Sequence, residues 1–264
     1  SCTVTERAGE KVEERVRTLI RRNPAASIIV TGCISEDDRQ RLELIPEVDH
    51  LIGNEEKHRV AEILQGAEMP GGPPRRKSRD IFNLQISGFE GRTRAFLKIQ
   101  DGCDSFCSYC IIPHMRGSSR SRQQSSIIEE AERLACAGFS EVVLTGIHLR
   151  QWGLDLGIRD GLGSLLSHLL AVDGVERIRL SSIGEGAFTD RFLGAFEADP
   201  RLCRFFPVPL QSGSDRILHR MRRDYSVKEF MEAMKSIGER LPPAARAPDA
   251  IRGFPGARAQ PLHP

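Results

Sequence analysis

Long apolar runs are missing from this chain of 264 residues. Its most hydrophobic stretches, Ser27-Ile28-Ile29-Val30 and Glu141-Val142-Val143-Leu144, are strand-sized, far below the roughly 18 residues that a membrane-spanning helix needs. Aromatic residues are scarce at 6%, with one Trp and two Tyr. Aliphatic side chains supply most of the 39% hydrophobic content, so the chain is neither disordered nor a disulfide-stapled miniature and folds by ordinary burial. No excess of one charge is present either: 38 Lys and Arg stand against 36 Asp and Glu, a net +2 that by itself selects no partner. An initial Met and a secretory signal are both lacking, so the chain reads as a fragment. Seven cysteines without such a signal predict a reducing, cytoplasmic setting where thiols serve as ligands or nucleophiles.

What is present divides along the chain. Residues 1–65 read as a small α/β unit, with Val12, Val16, Leu19 and Ile20 at helical spacing, a buried strand at 27–30 and a second helix at 37–44. Residues 66–91, opening on a run rich in Gly and Pro, read as a linker. From 92 to 240, strands at 95–99, 141–144, 177–180 and 205–208 alternate with helices at 125–137, 162–171, 189–198 and 226–240. That alternation predicts a parallel sheet, with chemistry in the loops after the strands. Residues 241–264 hold six Pro and six Ala among 24 positions, which predicts an irregular tail instead of another βα unit. Basic residues gather at 75–79, at Arg116, Arg120 and Arg122, and at Arg216, Arg220, Arg222 and Arg223. Such runs are either solvated faces or a surface for a phosphate backbone.

The densest chemistry lies in Cys103-Asp-Ser-Phe-Cys107-Ser-Tyr-Cys110, directly after the strand at 95–99. Three thiolates at this spacing can meet three irons of a cubane cluster and leave the fourth iron without a protein ligand. A zinc site would ask for a fourth ligand, for which His114 is the near candidate, and unliganded packing thiols are the remaining alternative.

The CxxxCxxC loop after a first barrel strand resembles the radical S-adenosylmethionine (SAM) superfamily, in which the open iron chelates SAM and the reduced cluster cleaves it to a 5′-deoxyadenosyl radical. Further strings resemble the methylthiotransferases of that superfamily. They are Phe96-Leu97-Lys98-Ile99-Gln100-Asp101-Gly102, Ile111-Ile112-Pro113 with Arg116-Gly117, Leu144-Thr145-Gly146-Ile147-His148-Leu149, Arg179-Leu180-Ser181-Ser182-Ile183 and Pro209-Leu210-Gln211-Ser212-Gly213-Ser214. Cys2-Thr3-Val4-Thr5 and Val30-Thr31-Gly32-Cys33 resemble two of three cysteine motifs in that family's first domain. The resemblance implies a small α/β methylthiotransferase domain followed by a partial radical SAM (β/α) barrel. Within the family, Thr145-Gly146-Ile147-His148-Leu149 followed by Trp152-Gly153-Leu154-Asp155 looks most like the branch that adds a methylthio group at C2 of N6-threonylcarbamoyladenosine in tRNA.

On this resemblance Cys103, Cys107 and Cys110 would ligate the SAM [4Fe-4S] cluster, and Cys2 and Cys33 an auxiliary one. Tyr109 would lie near the adenine of SAM, Gly146 near its methionine moiety, and Ser181, Ser182 and Gln211 at strand ends that contact SAM or substrate. Cys136 and Cys203 read as packing residues. tRNA, an external electron donor and a sulfur source are the implied partners, and no membrane. Adenine C2 carries a hydrogen with no acidic or electrophilic handle, which is why a radical route is the reasonable one. The departures are a third auxiliary cysteine not found in the chain, Gly184-Glu185-Gly186 where the family usually carries Glu-Pro, and Arg252 inside a fifth-strand motif. They predict a truncated member. The alternatives are the isopentenyladenosine branch, the ribosomal-protein branch, a different radical SAM reaction, and an inactive iron–sulfur or RNA-binding remnant.

Overall fold

Thr5 lies in extended backbone and its hydroxyl accepts the Ala8 N–H at 3.2 Å, starting α1 (Glu6–Arg22). Glu6 in the first turn and Arg21 and Arg22 in the last suit the helix dipole. The computed structural model describes residues 2–3, 5–66, 80–82, 91–158 and 161–257. Most of the stretch expected as a linker, the basic run at 75–79 and the end of the expected tail lie outside those residues.

After α1 come β1 (Ile29–Gly32), α2 (Glu36–Glu43), β2 (His50–Gly53) and α3 (Val60–Leu64). The strands pair in parallel from Ile29 opposite His50 to Gly32 opposite Gly53. Asp49 fixes their entry, because its carboxylate accepts the Ile28 N–H at 2.6 Å and the Ser27 hydroxyl at 3.0 Å. Ser35 caps α2 through the Asp38 N–H at 3.1 Å. Val16, Ile28, Val30, Ile34, Leu42 and Ile45 form a small core, with Val12 and Ile20 packed at its margin. Leu19, expected on the inward stripe, points outward at 40% exposure.

The chain continues through β3 (Arg94–Lys98), β4 (Gln100–Asp101), α4 (Ile112–Arg116), β5 (Arg120–Ser121), α5 (Gln124–Cys136), β6 (Glu141–Thr145) and α6 (Gly161–Leu170). Then follow β7 (Arg177–Leu180), α7 (Asp190–Ala198), β8 (Phe205–Gln211), α8 (Asp215–Arg220), α9 (Val227–Arg240) and β9 (Ala245–Ala250). β3, β6 and β7 are neighbours in one parallel sheet, and β8 and β9 pair in parallel. A parallel bridge from Ile178 to Leu202 and a bond from the Ile183 N–H to the Pro207 carbonyl at 3.0 Å carry the arc from β7 toward β8. This is the α/β class that the alternating pattern predicts, an arc of barrel strands with helices between them.

By contact the chain divides into two units. The first is Ser1–Gln85 with Gly102–Asp104 and Cys110–Ser118, and the second is Ile86–Asp101 with Ser105–Tyr109 and Ser119–Pro264. Among the described residues the main core cluster of the second holds 30 buried residues, against six in that of the first. Phe188, Phe192, Phe196 and Phe206 meet there with ring centroids 5.0 to 6.4 Å apart, concentrating the few aromatics of the chain.

Three expectations are corrected. Inside the segment expected to be an irregular tail, β9 pairs with β8 from Ala245 opposite Phe205. An edge position tolerates Pro248 because a strand there needs ladder bonds on one side only. Cys136 is exposed and does not pack. In the basic run at 116–122, Arg120 and Arg122 are buried, and Arg122 forms an internal ion pair with Glu130 at 2.5 Å, so this run is not a phosphate-binding surface.

Candidate metal centre

Gly102 turns the chain from β4 into the thiol loop. Its φ is 74°, and a Cβ there would lie 2.0 Å from the Ser118 carbonyl oxygen, so no other residue fits. The N–H of Cys103 then donates to the Gly117 carbonyl at 3.1 Å. Phe106 adopts φ 43°, unusual for a residue with a large side chain, and is 48% exposed. Cys103 and Cys110 belong to the first unit and Cys107 to the second.

Within the second unit, the Ser108 N–H donates to the Met221 carbonyl at 3.1 Å and its hydroxyl to the Arg220 carbonyl at 2.9 Å. These two bonds tie the stretch around buried Cys107 to the turn after α8. From that turn the Arg223 guanidinium donates Nη1–H to the Cys107 Sγ at 3.3 Å and lies 4.8 Å over the Tyr225 ring. Tyr225 is fixed in turn by donating to the carbonyls of Pro209 and Leu210, at 3.0 and 2.8 Å. Burial, reinforced by the Cys107 sulfur, pushes the Tyr109 phenol well above its ordinary range. Burial opposes the charge on Arg223, while the Cys107 sulfur that accepts its N–H, and Tyr225 and Tyr109, favour it to the extent that they carry negative charge, and the balance lies above the ordinary guanidinium value.

Gln100, fully buried, joins the first strand to the loop after β6. Its Oε1 accepts the N–H groups of Ile147 at 2.9 Å and His148 at 2.8 Å. Gly146 has no side chain for a reason visible here: a Cβ would stand 2.8 Å from Leu149 Cδ2 and 3.0 Å from Gln100 Oε1. His148 Nδ1 lies 3.4 Å from the Ser105 Oγ of the thiol loop.

At the end of β7, the Ser181 Oγ is buried with no hydrogen-bond partner, whereas Ser182 is exposed. Glu185, beyond it, is buried; its Oε1 accepts from Arg150 at 3.1 Å and its Oε2 is left without a hydrogen bond. Gln211 ends β8 with φ 62°, and its carbonyl accepts the Ile251 N–H at 2.9 Å. Two buried polar oxygens without partners thus follow β7 within five residues.

In the first unit, Cys33 is buried and accepts the Arg116 Nε–H at 3.2 Å. It lines a cavity of about 390 Å³ with Arg39, Asn54, Glu55, His114 and Met115. Cys2 is exposed and lines a different, much smaller hollow beside Gly9, Asp38 and Arg41. The two thiols expected to share an auxiliary cluster therefore do not share a cavity.

Among the described residues, no three His, Cys, Asp or Glu side chains group closely enough to hold one metal ion. A closed zinc site with His114 is thus not preassembled. A cubane asks for something else, since each thiolate meets a different iron. The donor set fits it: three thiols on one loop, with a cationic N–H aimed at the sulfur of Cys107.

Sequence reasoning placed Arg223 among surface cations and passed over Glu185 as a misplaced acid. The signal for Arg223 was available only as its neighbour Tyr225, an apolar ring that draws a guanidinium inward.

Comparison with known proteins agrees with this geometry. The radical SAM superfamily profile matches residues 97–257 and that of the uncharacterized protein family UPF0004 matches residues 1–53. A threonylcarbamoyladenosine tRNA methylthiotransferase of Bacillus subtilis is 37% identical over 97% of this chain and 58% of its own length. A tRNA-2-methylthio-N(6)-dimethylallyladenosine synthase of Pelotomaculum thermopropionicum is 34% identical over 97% of this chain and 59% of its own. The chain thus spans somewhat under two thirds of the length of these relatives. A solved structure of OxsB, a cobalamin-dependent SAM radical enzyme, superposes with a TM-score of 0.61 at 13% identity, covering 93% of this chain and 39% of that one, which bears on the fold alone. With its matched region running from β3 past β9, the chain belongs to the radical SAM superfamily, and a UPF0004 domain precedes the barrel arc.

Proposed function

We propose that the chain is a radical SAM tRNA methylthiotransferase acting at C2 of N6-threonylcarbamoyladenosine. The observation that carries the reading is the thiol loop itself, set after the first barrel strand with a guanidinium donating to Cys107, in a chain several of whose relatives are named threonylcarbamoyladenosine tRNA methylthiotransferase. Cys103, Cys107 and Cys110 would hold a [4Fe-4S] cluster, which when bound supplies the electron that cleaves SAM. Tyr109, 37% exposed beside Cys107, offers a phenol face for the adenine of SAM. The orphaned Ser181 Oγ and Glu185 Oε2 offer acceptors for its hydroxyl or ammonium groups. Gln100, through Ile147 and His148, keeps the loop after β6 close to the strand end that leads into the thiol loop. Cys33, lining the roomy cavity of the first unit, would serve an auxiliary cluster, and the substrate would be tRNA, its target base splayed from a loop. No helix among the described residues is long and apolar enough to cross a membrane.

The test joins metal content to product. Anaerobically reconstituted chain should bind on the order of four irons at the loop, and a strain lacking the gene should lose the 2-methylthio form of threonylcarbamoyladenosine from its tRNA. Loss of the methylthio form of isopentenyladenosine instead would favour the chemistry for which the Pelotomaculum relative is named. Tightly held zinc without iron would overturn the reading.

A further inference from the structure

A guanidinium drawn out of water is destabilised unless an anion compensates its charge. Arg223 is half-buried, and among the described residues no carboxylate pairs with it. Its neighbour Asp224 faces Arg150 instead, at 3.7 Å. What Arg223 does touch is the Cys107 Sγ at 3.3 Å and the Tyr225 ring. Its Nε–H is buried with no hydrogen-bond partner, a second donor on the same fork. A neutral thiol and an aromatic face are weak compensation for a full charge. A thiolate bound to iron, in a cluster carrying net negative charge, is strong compensation.

The other basic residues of this run behave as surface cations should. Arg216, Arg220 and Arg222 are exposed, whereas Arg223 alone of the four is turned onto the thiol loop. Its placement is built from both sides, by Tyr225 anchored on the carbonyls of β8 and by Ser108 anchored on those of Arg220 and Met221.

From this arrangement we infer that Arg223 is a positioning and tuning residue for the cluster, holding Cys107 in ligating orientation and raising the cluster's reduction potential through its charge and its N–H···S bond. The inference rests on reading the loop as a cluster site. Its physical basis is that hydrogen bonds to ligand sulfurs and nearby positive charge stabilise the reduced cluster, which carries one more electron than the oxidised one.

The experiment is a dithionite redox titration of the reconstituted full chain, followed by EPR, for wild type, Arg223→Lys and Arg223→Gln. At the poise where the wild-type cluster is half reduced, Arg223→Gln should show about a tenfold lower reduced-to-oxidised ratio, a shift of about 59 mV for a one-electron couple. Arg223→Lys, which keeps the charge and a donor, should fall between the two. A second measurement needs no variant. In wild type labelled with ¹⁵N-arginine, the reduced cluster should show a hyperfine coupling to a guanidinium nitrogen. If Arg223→Gln does not fold, that coupling decides, its presence supporting the inference and its absence overturning it. Equal potentials in all three proteins, with the cluster present in each, would overturn the inference and leave the cluster reading standing. A wild type that takes up no cluster would overturn both.

Discussion

Two thiols in this protein accept a hydrogen bond from a guanidinium, Cys33 from Arg116 at 3.2 Å and Cys107 from Arg223 at 3.3 Å. The contacts are alike and their surroundings are not. Cys33 lines a cavity of about 390 Å³ whose walls carry charge of both signs, Arg39 with Glu36 and Glu55. Cys107 sits beside Tyr109 and Tyr225, with no carboxylate balancing its arginine among the described residues. The first contact lies in a wall that carries both signs of charge, whereas the second has a cation to be matched by whatever the sulfur ligates. An N–H···S contact alone does not identify a ligand; the charge around it says how strongly its cation can act on whatever the sulfur binds. The two regions also differ in support, six core residues around the first thiol's unit and 30 around the second's.

The sharpest break of the comparison is Cys107→Ala, which should abolish iron binding at the loop while Cys33→Ala leaves it intact; iron per chain after anaerobic reconstitution measures both. Next, Phe206→Ala removes a fully buried ring of the larger core and should cost about 3–5 kcal/mol. Ile45→Ala, buried at 2% in the smaller core, should cost about 2–5 kcal/mol; urea unfolding followed by hydrogen exchange in each region would show whether either loss stays confined to its own unit.

Gly146→Ala is a finer probe. The added Cβ must displace Leu149 or Gln100, and Gln100 holds the N–H groups of Ile147 and His148. Overpacking of this kind costs about 1–3 kcal/mol, and the melting temperature should fall accordingly, with SAM affinity falling more than stability explains.

The smallest expected effects come from acid. Asp49 in the first unit is held below its ordinary 3.8 by the Ile28 N–H and then the Ser27 hydroxyl. Glu229 in the second is held below 4.5 by the Ser226 hydroxyl and N–H of its capping box. Both folded-state values are depressed, so each contribution is fully present above the ordinary carboxylate range and is lost as pH falls through the folded value. Asp49→Asn and Glu229→Gln should therefore lower stability at pH 7, each in its own unit, and converge on the wild type toward about pH 2, flattening the acid dependence between about pH 5 and 2. Denaturation midpoints measured across that range check both.

Much of this was legible before any coordinates. The alternation of strands and helices from 92 to 240 matches β3, β6, β7 and β8 and the helices α5, α6, α7 and α9 within one or two residues at most ends, because apolar periodicity is a local signal that tertiary packing here reinforces. The thiol loop was legible because three cysteines at that spacing have few other uses. What periodicity could not show were the elements made by pairing. β9 carries no alternating apolar pattern and β2 spans only four residues, and both are defined by their pairing with β8 and β1. Leu19 was misplaced because a helix with Val12, Val16 and Ile20 already has its buried face.

The class of fold, the thiol loop and the family are written in local spacing and can be read from the residues alone. What the arginines do is set by the fold. Arg116, Arg122 and Arg223 read alike as basic letters, yet one donates to Cys33, one is sealed in an ion pair with Glu130, and one faces Cys107. A guanidinium's role is set by the partner that reaches it from far along the chain, 83 residues away for Arg116 and 116 for Arg223, and no local pattern encodes that meeting.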